Sequence, residues 1–473
     1  MTKKSPLPNS VPLLDAVAAF LVAVLALAIH RAIYGGPHPP EFDALFYINY
    51  GLSLADYGVL GDYGRGTQEP VPGFGSAPAY PAFLALLFET NQGFRDGFAC
   101  FMQSQKTQGL SCELNFLPLL VAQTLLMGVF LASVWATAWL LFGQRWLAWL
   151  AMILALASGE PQHYSKLFLT EALVLPLFGL FSVFLLLAYR RPSSMLWPVL
   201  CGLSLGALAL TRPTFAYLFW FAVIAGSVLQ LLCHHRRRRV MAVAALALAY
   251  AAVTVPWLAR NYVTFDQAAL TGGYGESVLC QRLAYNRMGW DEWGVAFVYF
   301  FPRRGEAFAK ALFPEPLYEK LGVGEKAYVW EGIRELCPET RAAAGGPDRH
   351  LGYLIKTEVL GQPVWHALVS MPLMVRGMFI GNPVIWSVAG WLAAIWFLVV
   401  CLRQRRWDFP ILMALPLFNL VFNAAVSVSI ARYNIILIPV LSCAMAYAGA
   451  SLLSAIPFWP FNQLKPAPPT PLQ

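Results

Sequence analysis

Apolar runs long enough to span a bilayer fall near residues 12–33, 116–142, 169–189, 213–233, 240–258, 383–402, 409–429 and 435–456, each with few or no charges. Two shorter runs fit at 146–158 and 195–211. The pattern predicts an all-α polytopic membrane protein of about ten transmembrane helices. The first run follows Lys3 and Lys4, as a secretory signal would, but it lacks a small-residue cleavage site and ends in HRAIYGG, so it reads as a retained helix. APAYPAFLALLFE (77–89) is too short to cross, and VWHALVSMPLMVRGMFI (364–380) carries His366, Pro372 and Arg376. Both are expected as outer-face juxtamembrane helices, amphipathic or re-entrant.

This divides the chain into an N-terminal transmembrane module over 1–258 with a large first outer loop at 34–115, an outer region at 259–382, closing helices over 383–456 and a Pro-rich tail at 457–473 that is expected to be disordered. Within 259–382, the pieces EAFAKALF and EKAYVWEGIREL predict short helices lying over the membrane part rather than a β-domain.

Composition agrees: 58% hydrophobic residues, 12% charged, and a mean hydropathy of +0.57 over 473 residues exclude an ordinary soluble domain. A net charge of +8 would suggest nucleic acid in a soluble protein, so its distribution decides its meaning. Segments 1–11, 143–145, 190–194, 234–239, 403–408 and the tail hold thirteen Lys/Arg against one acid, Asp408. By contrast, 34–115 carries eight acids and three bases, and 259–382 carries thirteen of each. The positive-inside bias then puts both termini in the cytoplasm and the two large loops outside; no nucleic-acid partner is expected. The RRRR run at 236–239 reads as a topology signal touching anionic lipid.

Of eight cysteines, Cys201, Cys233, Cys401 and Cys443 fall in or at the ends of helices, while Cys100, Cys112, Cys280 and Cys337 fall in outer loops. Cys100 with Cys112 and Cys280 with Cys337 are the sequence-local pairings, although four cysteines allow three connectivities. No spacing resembles a zinc site, and GxGxxG, P-loop, HExxH and GxSxG patterns are absent.

Candidate chemistry gathers at the outer helix ends. Glu41 and Asp43 follow the first helix; there a carboxylate either is solvated, caps a short helix after Pro39 and Pro40, or serves a reaction. In GEPQHYSKLFLTEAL, Glu171 lies just inside an apolar run, where an ionisable group needs a cavity or a partner, whereas His163 and Lys166 suit headgroup contacts. Arg212, Arg260 and Arg432 stand at outer helix ends against the positive-inside trend; each either snorkels to headgroups or receives a phosphate. Loop aromatics such as Trp290, Trp293, Tyr299, Trp330 and Trp365 suit an interface belt, and a few could stack on a sugar.

At these residues the sequence resembles the GT-C membrane glycosyltransferases, specifically bacterial relatives of protein O-mannosyltransferases and of the lipid A aminoarabinose transferase. The matching order is Asp43 and Tyr47, then Pro78, Tyr80 and Pro81, then LTEAL with Glu171, GLxxGxxxLTRPT (Gly202 to Thr214), PWxxRNY (Pro256 to Tyr262) and RYxxxxxPxL (Arg432 to Leu441). It covers roughly 38–82, 160–262 and 430–441. The chain departs from the pattern where many relatives carry a second acid after the first-loop Asp: here Ala44 follows, and Glu41 stands two positions before.

The resemblance implies transfer of a sugar from a polyprenyl-phosphate donor to a hydroxyl of a lipid, glycan or protein at the outer face of a bacterial inner membrane. Asp43 would be the general base, with Glu41 as a possible sharer of that role, and Glu171 would orient acceptor or donor. Arg212, Arg260 and Arg432 would face the phosphate, and Tyr47, Tyr80, His163 and Lys166 would line the substrate. No cofactor is implied, and a divalent metal is left open. The rival class is a transporter or flippase for lipid-linked saccharides, which would also need intramembrane charges, though the two halves show no inverted repeat.

Overall fold

The computed structural model describes residues 8, 10–37, 39–63, 70–107, 112–231, 236–381 and 383–454. The tail at 457–473 and Cys233 lie outside the described residues. Those described form helices joined by short turns, with one two-stranded ribbon, β1 (Gly61–Asp62) and β2 (Val71–Pro72). Two compact units result: 1–272 with 389–415 and 438–473, and 273–388 with 416–437.

In the first unit, α1 (Leu13–Tyr34) leads to α2 (Asp43–Tyr57), the ribbon, α3 (Ala79–Thr90) and α4 (Gln92–Thr107). There follow α5 (Leu117–Phe142), α6 (Arg145–Ala157), the single turn α7 (Glu160–Tyr164), α8 (Glu171–Arg190), α9 (Leu196–Thr211), α10 (Phe215–Leu231) and α11 (Arg236–Phe265). Pairs α5/α8, α8/α9, α9/α11 and α1/α5 pack along their lengths. The glycines of the GLxxGxxxLTRPT stretch explain one of these contacts. A Cβ on Gly202 would stand 2.2 Å from the Leu246 carbonyl oxygen, and one on Gly206 would stand 2.7 Å from Val253 Cβ, so small residues four apart let α9 and α11 approach closely. Large apolar side chains point outward along α1 and α11, among them Leu14 at 85% exposure and Leu248 at 72%, as a lipid-facing surface requires.

The second unit begins with α12 (Tyr274–Ala284), α13 (Trp290–Tyr299), α14 (Gly305–Leu312) and α15 (Tyr328–Glu331), and continues with α16 (Cys337–Ala343), α17 (Pro347–Leu354) and α18 (Pro363–Met378). EAFAKALF becomes α14, and EKAYVWEGIREL becomes α15 with a π turn after it. The last helices are α19 (Val384–Arg403), α20 (Asp408–Val426) and α21 (Ile438–Ser454). Residues 416–437 join the second unit because Ala424 and Val428 share a core with Leu283, Tyr285, Tyr328 and Leu373, and because Arg282 reaches across it. That guanidinium is fully buried and donates to Ala424 O (2.7 Å), Asn286 Oδ1 (3.0 Å), His366 O (3.0 Å) and Ser370 Oγ (2.8 Å). Burial, and then the charge of Arg282, push the His366 imidazole down to about 4, so it is neutral at physiological pH.

Seven described helices are long and apolar enough to cross a membrane: α1, α5, α8, Val240–Phe265 of α11, α19, α20 and Ala431–Ser454. Four shorter apolar helices accompany them, Ala79–Thr90, Arg145–Ala157, Leu196–Thr211 and Phe215–Val228. The last three coincide with runs read as spans, and the first with the segment judged too short to cross.

Both sequence-local cysteine pairs are bridged, Cys100 to Cys112 and Cys280 to Cys337. Alkylation of the denatured, unreduced protein is therefore expected to modify only Cys201, Cys233, Cys401 and Cys443. Peptide mapping that finds modified Cys100 or Cys280 would refute the pairing.

Candidate functional site

Asp43 opens α2, in its first turn, where an acid is favoured by the helix dipole; the N-cap position itself belongs to Phe42, whose φ of 48° is unusual for a bulky residue. Glu41 and Asp43 are both exposed. One turn after Asp43 comes Tyr47, whose ring meets the ring of Tyr80 edge-on at 5.3 Å. Tyr80 is fully buried at the start of α3, and its hydroxyl accepts a hydrogen bond from Gln123 Nε2 on α5 (2.9 Å). The same nitrogen donates to Leu167 O (3.1 Å), in the segment leading to Glu171.

Glu171 lies in the first turn of α8 with no exposure to solvent. Its carboxylate pairs with the guanidinium of Arg212, which caps the C-terminus of α9 and keeps 13% of its side chain exposed. Arg212 Nε donates to Thr170 Oγ1 (2.9 Å), and that hydroxyl lies 3.4 Å from Glu171 Oε2 as a donor. A charged pair at this depth is tolerated because each member is the other's counter-ion. The structure thus joins Glu171 to Arg212, and links Tyr80, on the same Gln123 bridge, to Tyr47 on the helix that begins with Asp43.

Gln123 and Thr170 carry this arrangement, and neither was singled out from the sequence. The signal for Gln123 was present, as a lone amide inside the apolar run of α5. Its Oε1 is buried without a hydrogen-bond partner among the described residues, an acceptor in a site that needs a donor.

Arg260 is held by protein groups on several sides. It donates to Gly73 O (3.0 Å) and Leu60 O (3.2 Å), on the two sides of the β1–β2 ribbon, and to Asn261 Oδ1 (2.9 Å), with its guanidinium over the rings of Trp257 and Phe265. On its other side the ribbon is tied to α2: Asn49 Nδ2 donates to Asp62 Oδ1 (3.0 Å), Tyr63 N to Asn49 Oδ1 (3.0 Å) and Ser53 Oγ to Val59 O (2.8 Å). Arg260 therefore braces, through the ribbon, the helix that carries Asp43 and Tyr47. Burial, then the neighbouring Asp56, push Tyr63 up to about 12, which keeps its hydroxyl protonated within the same brace.

The remaining candidates are His163, Lys166 and Arg432. His163 is exposed on α7, with its ring edge-on to Tyr164 at 5.0 Å, and Lys166 is half-buried just after that turn. Arg432 belongs to the second unit, in the 3-10 turn Ala431–Leu437, whose Asn434 accepts from Asn419 Nδ2 (3.1 Å).

No protein-family model matches the chain, and no curated protein matches it. Among solved structures, it is similar to the archaeal oligosaccharyltransferase AglB from Archaeoglobus fulgidus, in complex with an inhibitory peptide and a dolichol-phosphate. The identity is 15% and the TM-score 0.48, over 93% of this chain. It is also similar to ArnT from Cupriavidus metallidurans, bound to undecaprenyl phosphate, with 15% identity and a TM-score of 0.40 over 94% of this chain. The chain spans about half the length of the archaeal protein (51%) and 78% of the second. Neither likeness places a residue of this chain in a role.

If Glu171 and Arg212 neutralise each other in the interior, Glu171→Gln or Arg212→Gln alone should cost about 3–5 kcal/mol by stranding a buried charge. The double variant should cost clearly less than the sum. Denaturant unfolding in detergent measures the cycle, and additive losses would rule the coupling out.

Proposed function

We propose that the chain is a membrane glycosyltransferase that moves a sugar from a polyprenyl-phosphate donor to a hydroxyl of a lipid, glycan or protein. The observation that carries this reading is the buried Glu171–Arg212 pair, with Gln123 beside it tying the segment before Glu171 to Tyr80, whose ring meets Tyr47 on the helix that opens with an exposed Asp43. Membrane interiors hold such pairs where a charged substrate is handled. The order of sequence motifs at these same residues supports the same class.

The proposed reaction asks little exotic chemistry of the protein. Asp43 accepts the proton of the acceptor hydroxyl as its oxygen attacks the anomeric carbon, and the bond from that carbon to the phosphate oxygen breaks. The electron pair leaves with the polyprenyl phosphate, whose growing negative charge is stabilised by Arg212. Glu171 and Thr170 hold the guanidinium in one orientation, so the cation is positioned before the substrate arrives. The buried Gln123 Oε1 offers an acceptor to a sugar or acceptor hydroxyl. Tyr47 offers ring surface, with the buried Tyr80 ring packed against it, and Glu41, His163 and Lys166 are outer contacts. No step requires a cofactor.

The proposal places the chain in a bacterial cytoplasmic membrane with both termini inside and the reaction outside. Charge distribution supports this: α8 begins at Glu171 and ends at Arg190, followed by Arg191, and the turn between α19 and α20 carries Arg403, Arg405 and Arg406.

Asp43→Asn should lower sugar transfer by roughly 10²–10⁴-fold while the protein remains folded and still retains its lipid donor. Radiolabelled transfer in proteoliposomes measures it, and near-normal turnover would remove Asp43 from the role of base. A chain that carries the donor across the vesicle without forming product is a transporter instead.

A further inference from the structure

At the end of α8 opposite Glu171, three charged side chains are buried together. Arg190 Nη2 lies 3.3 Å from Asp408 Oδ2, and Arg406 Nη2 lies 2.7 Å from the same oxygen; the three side chains keep only 8%, 8% and 6% of their surface, with Asp408 the lowest. Other donors of the two arginines reach main-chain carbonyls, Arg190 Nη1 to Pro8 O (2.7 Å) and Arg406 Nη2 to Leu141 O (2.8 Å). The second oxygen of Asp408 accepts the amide of Phe409 (3.0 Å). One carboxylate therefore serves two guanidinium groups.

Among the described residues, the arithmetic of charge leaves one positive charge uncompensated in a buried setting, a costly condition unless a further anion is present. A second observation points the same way. Arg406 Nε is buried and has no hydrogen-bond partner among the described residues, so a strong donor is left unused beside the excess charge. An oxyanion would satisfy both, and a phosphate suits the edge of a guanidinium better than a halide does.

The position in the fold selects the source of that phosphate. The 20 residues of α8 carry the chain about 30 Å from Glu171 to Arg190, one hydrocarbon thickness. Beside the cluster, Trp407 is 53% exposed, and Arg403 and Arg405 are exposed, the mixture found at a headgroup layer. We propose that Arg190 and Arg406 bind the headgroup phosphate of an anionic phospholipid at this face, the face opposite the one proposed for sugar transfer. The bound lipid neutralises the cluster and locks Pro8, α8 and the turn before α20 together. Its chemistry does not depend on the identity of the transferase reaction.

The test uses the full chain in nanodiscs of phosphatidylcholine with or without phosphatidylglycerol, with native mass spectrometry for retained lipid and thermal unfolding for stability. Wild type should keep phosphatidylglycerol through delipidating washes and unfold at a higher temperature with it. Arg406→Gln should weaken retention about tenfold or more and abolish the increment in temperature. Asp408→Asn removes the one counter-charge and should strengthen retention, so it decides the matter if Arg406→Gln fails to fold. Replacing the RRRR run at 236–239 by glutamines lowers diffuse attraction to the bilayer but should leave the retained lipid in place. Equal retention by wild type, Arg406→Gln and Asp408→Asn would overturn the proposal. So would loss of the lipid on changing 236–239, or an equal increment from inorganic phosphate alone.

Discussion

The pairing of Glu171 with Arg212 is the constraint from which the candidate site follows. Neither charge would be stable alone at the ends of α8 and α9, one fully buried and the other nearly so. Together they oblige the start of one helix and the end of the other to stay in register, with Thr170 bridging them. The same enclosure that makes the pair strong makes it poised. A guanidinium held by a carboxylate and a hydroxyl loses little conformational freedom when an anionic oxygen approaches it.

The helix that carries Asp43 is held by a different device. Its exposed N-terminal end lacks a side-chain cap, so its placement falls to contacts further along: the Tyr47–Tyr80 ring contact, the Asn49 and Ser53 bonds to the ribbon, and the brace of Arg260 behind that ribbon. Arginine suits such a brace because its planar donors can grip two carbonyls that flank the paired strands, Leu60 O and Gly73 O, while its face rests on Trp257 and Phe265. The helix that opens with the exposed Asp43 is thereby held by groups on the ribbon, α3 and α11.

Much of this architecture was legible in the sequence because the membrane imposes a simple code. Long apolar runs became helices, and the four loop cysteines paired in the sequence-local way. Glu171 and Arg212 were each conspicuous, as an acid within an apolar run and a cation at an outer helix end. Their pairing was not legible, because 41 residues separate them and no periodicity relates a helix start to the end of the next helix. Arg260 shows the converse difficulty: a cation that braces a loop and a cation that awaits a phosphate leave the same mark in a sequence. The second unit was readable as short helices, but the inclusion of 416–437 in it depended on packing around Arg282, Ala424 and Val428.

If the buried pair and the acid of α2 do serve a polyprenyl-phosphate sugar, the donor should travel with the protein. Mass spectrometry of lipids that copurify with the full chain from its native membrane tests this most directly. The account predicts a polyprenyl-phosphate sugar, or the polyprenyl phosphate left after transfer, in an amount comparable to the protein and reduced in the Arg212→Gln variant. Native lipid extracts that contain only bulk phospholipid, with no polyprenyl phosphate in wild type or variant, would contradict it.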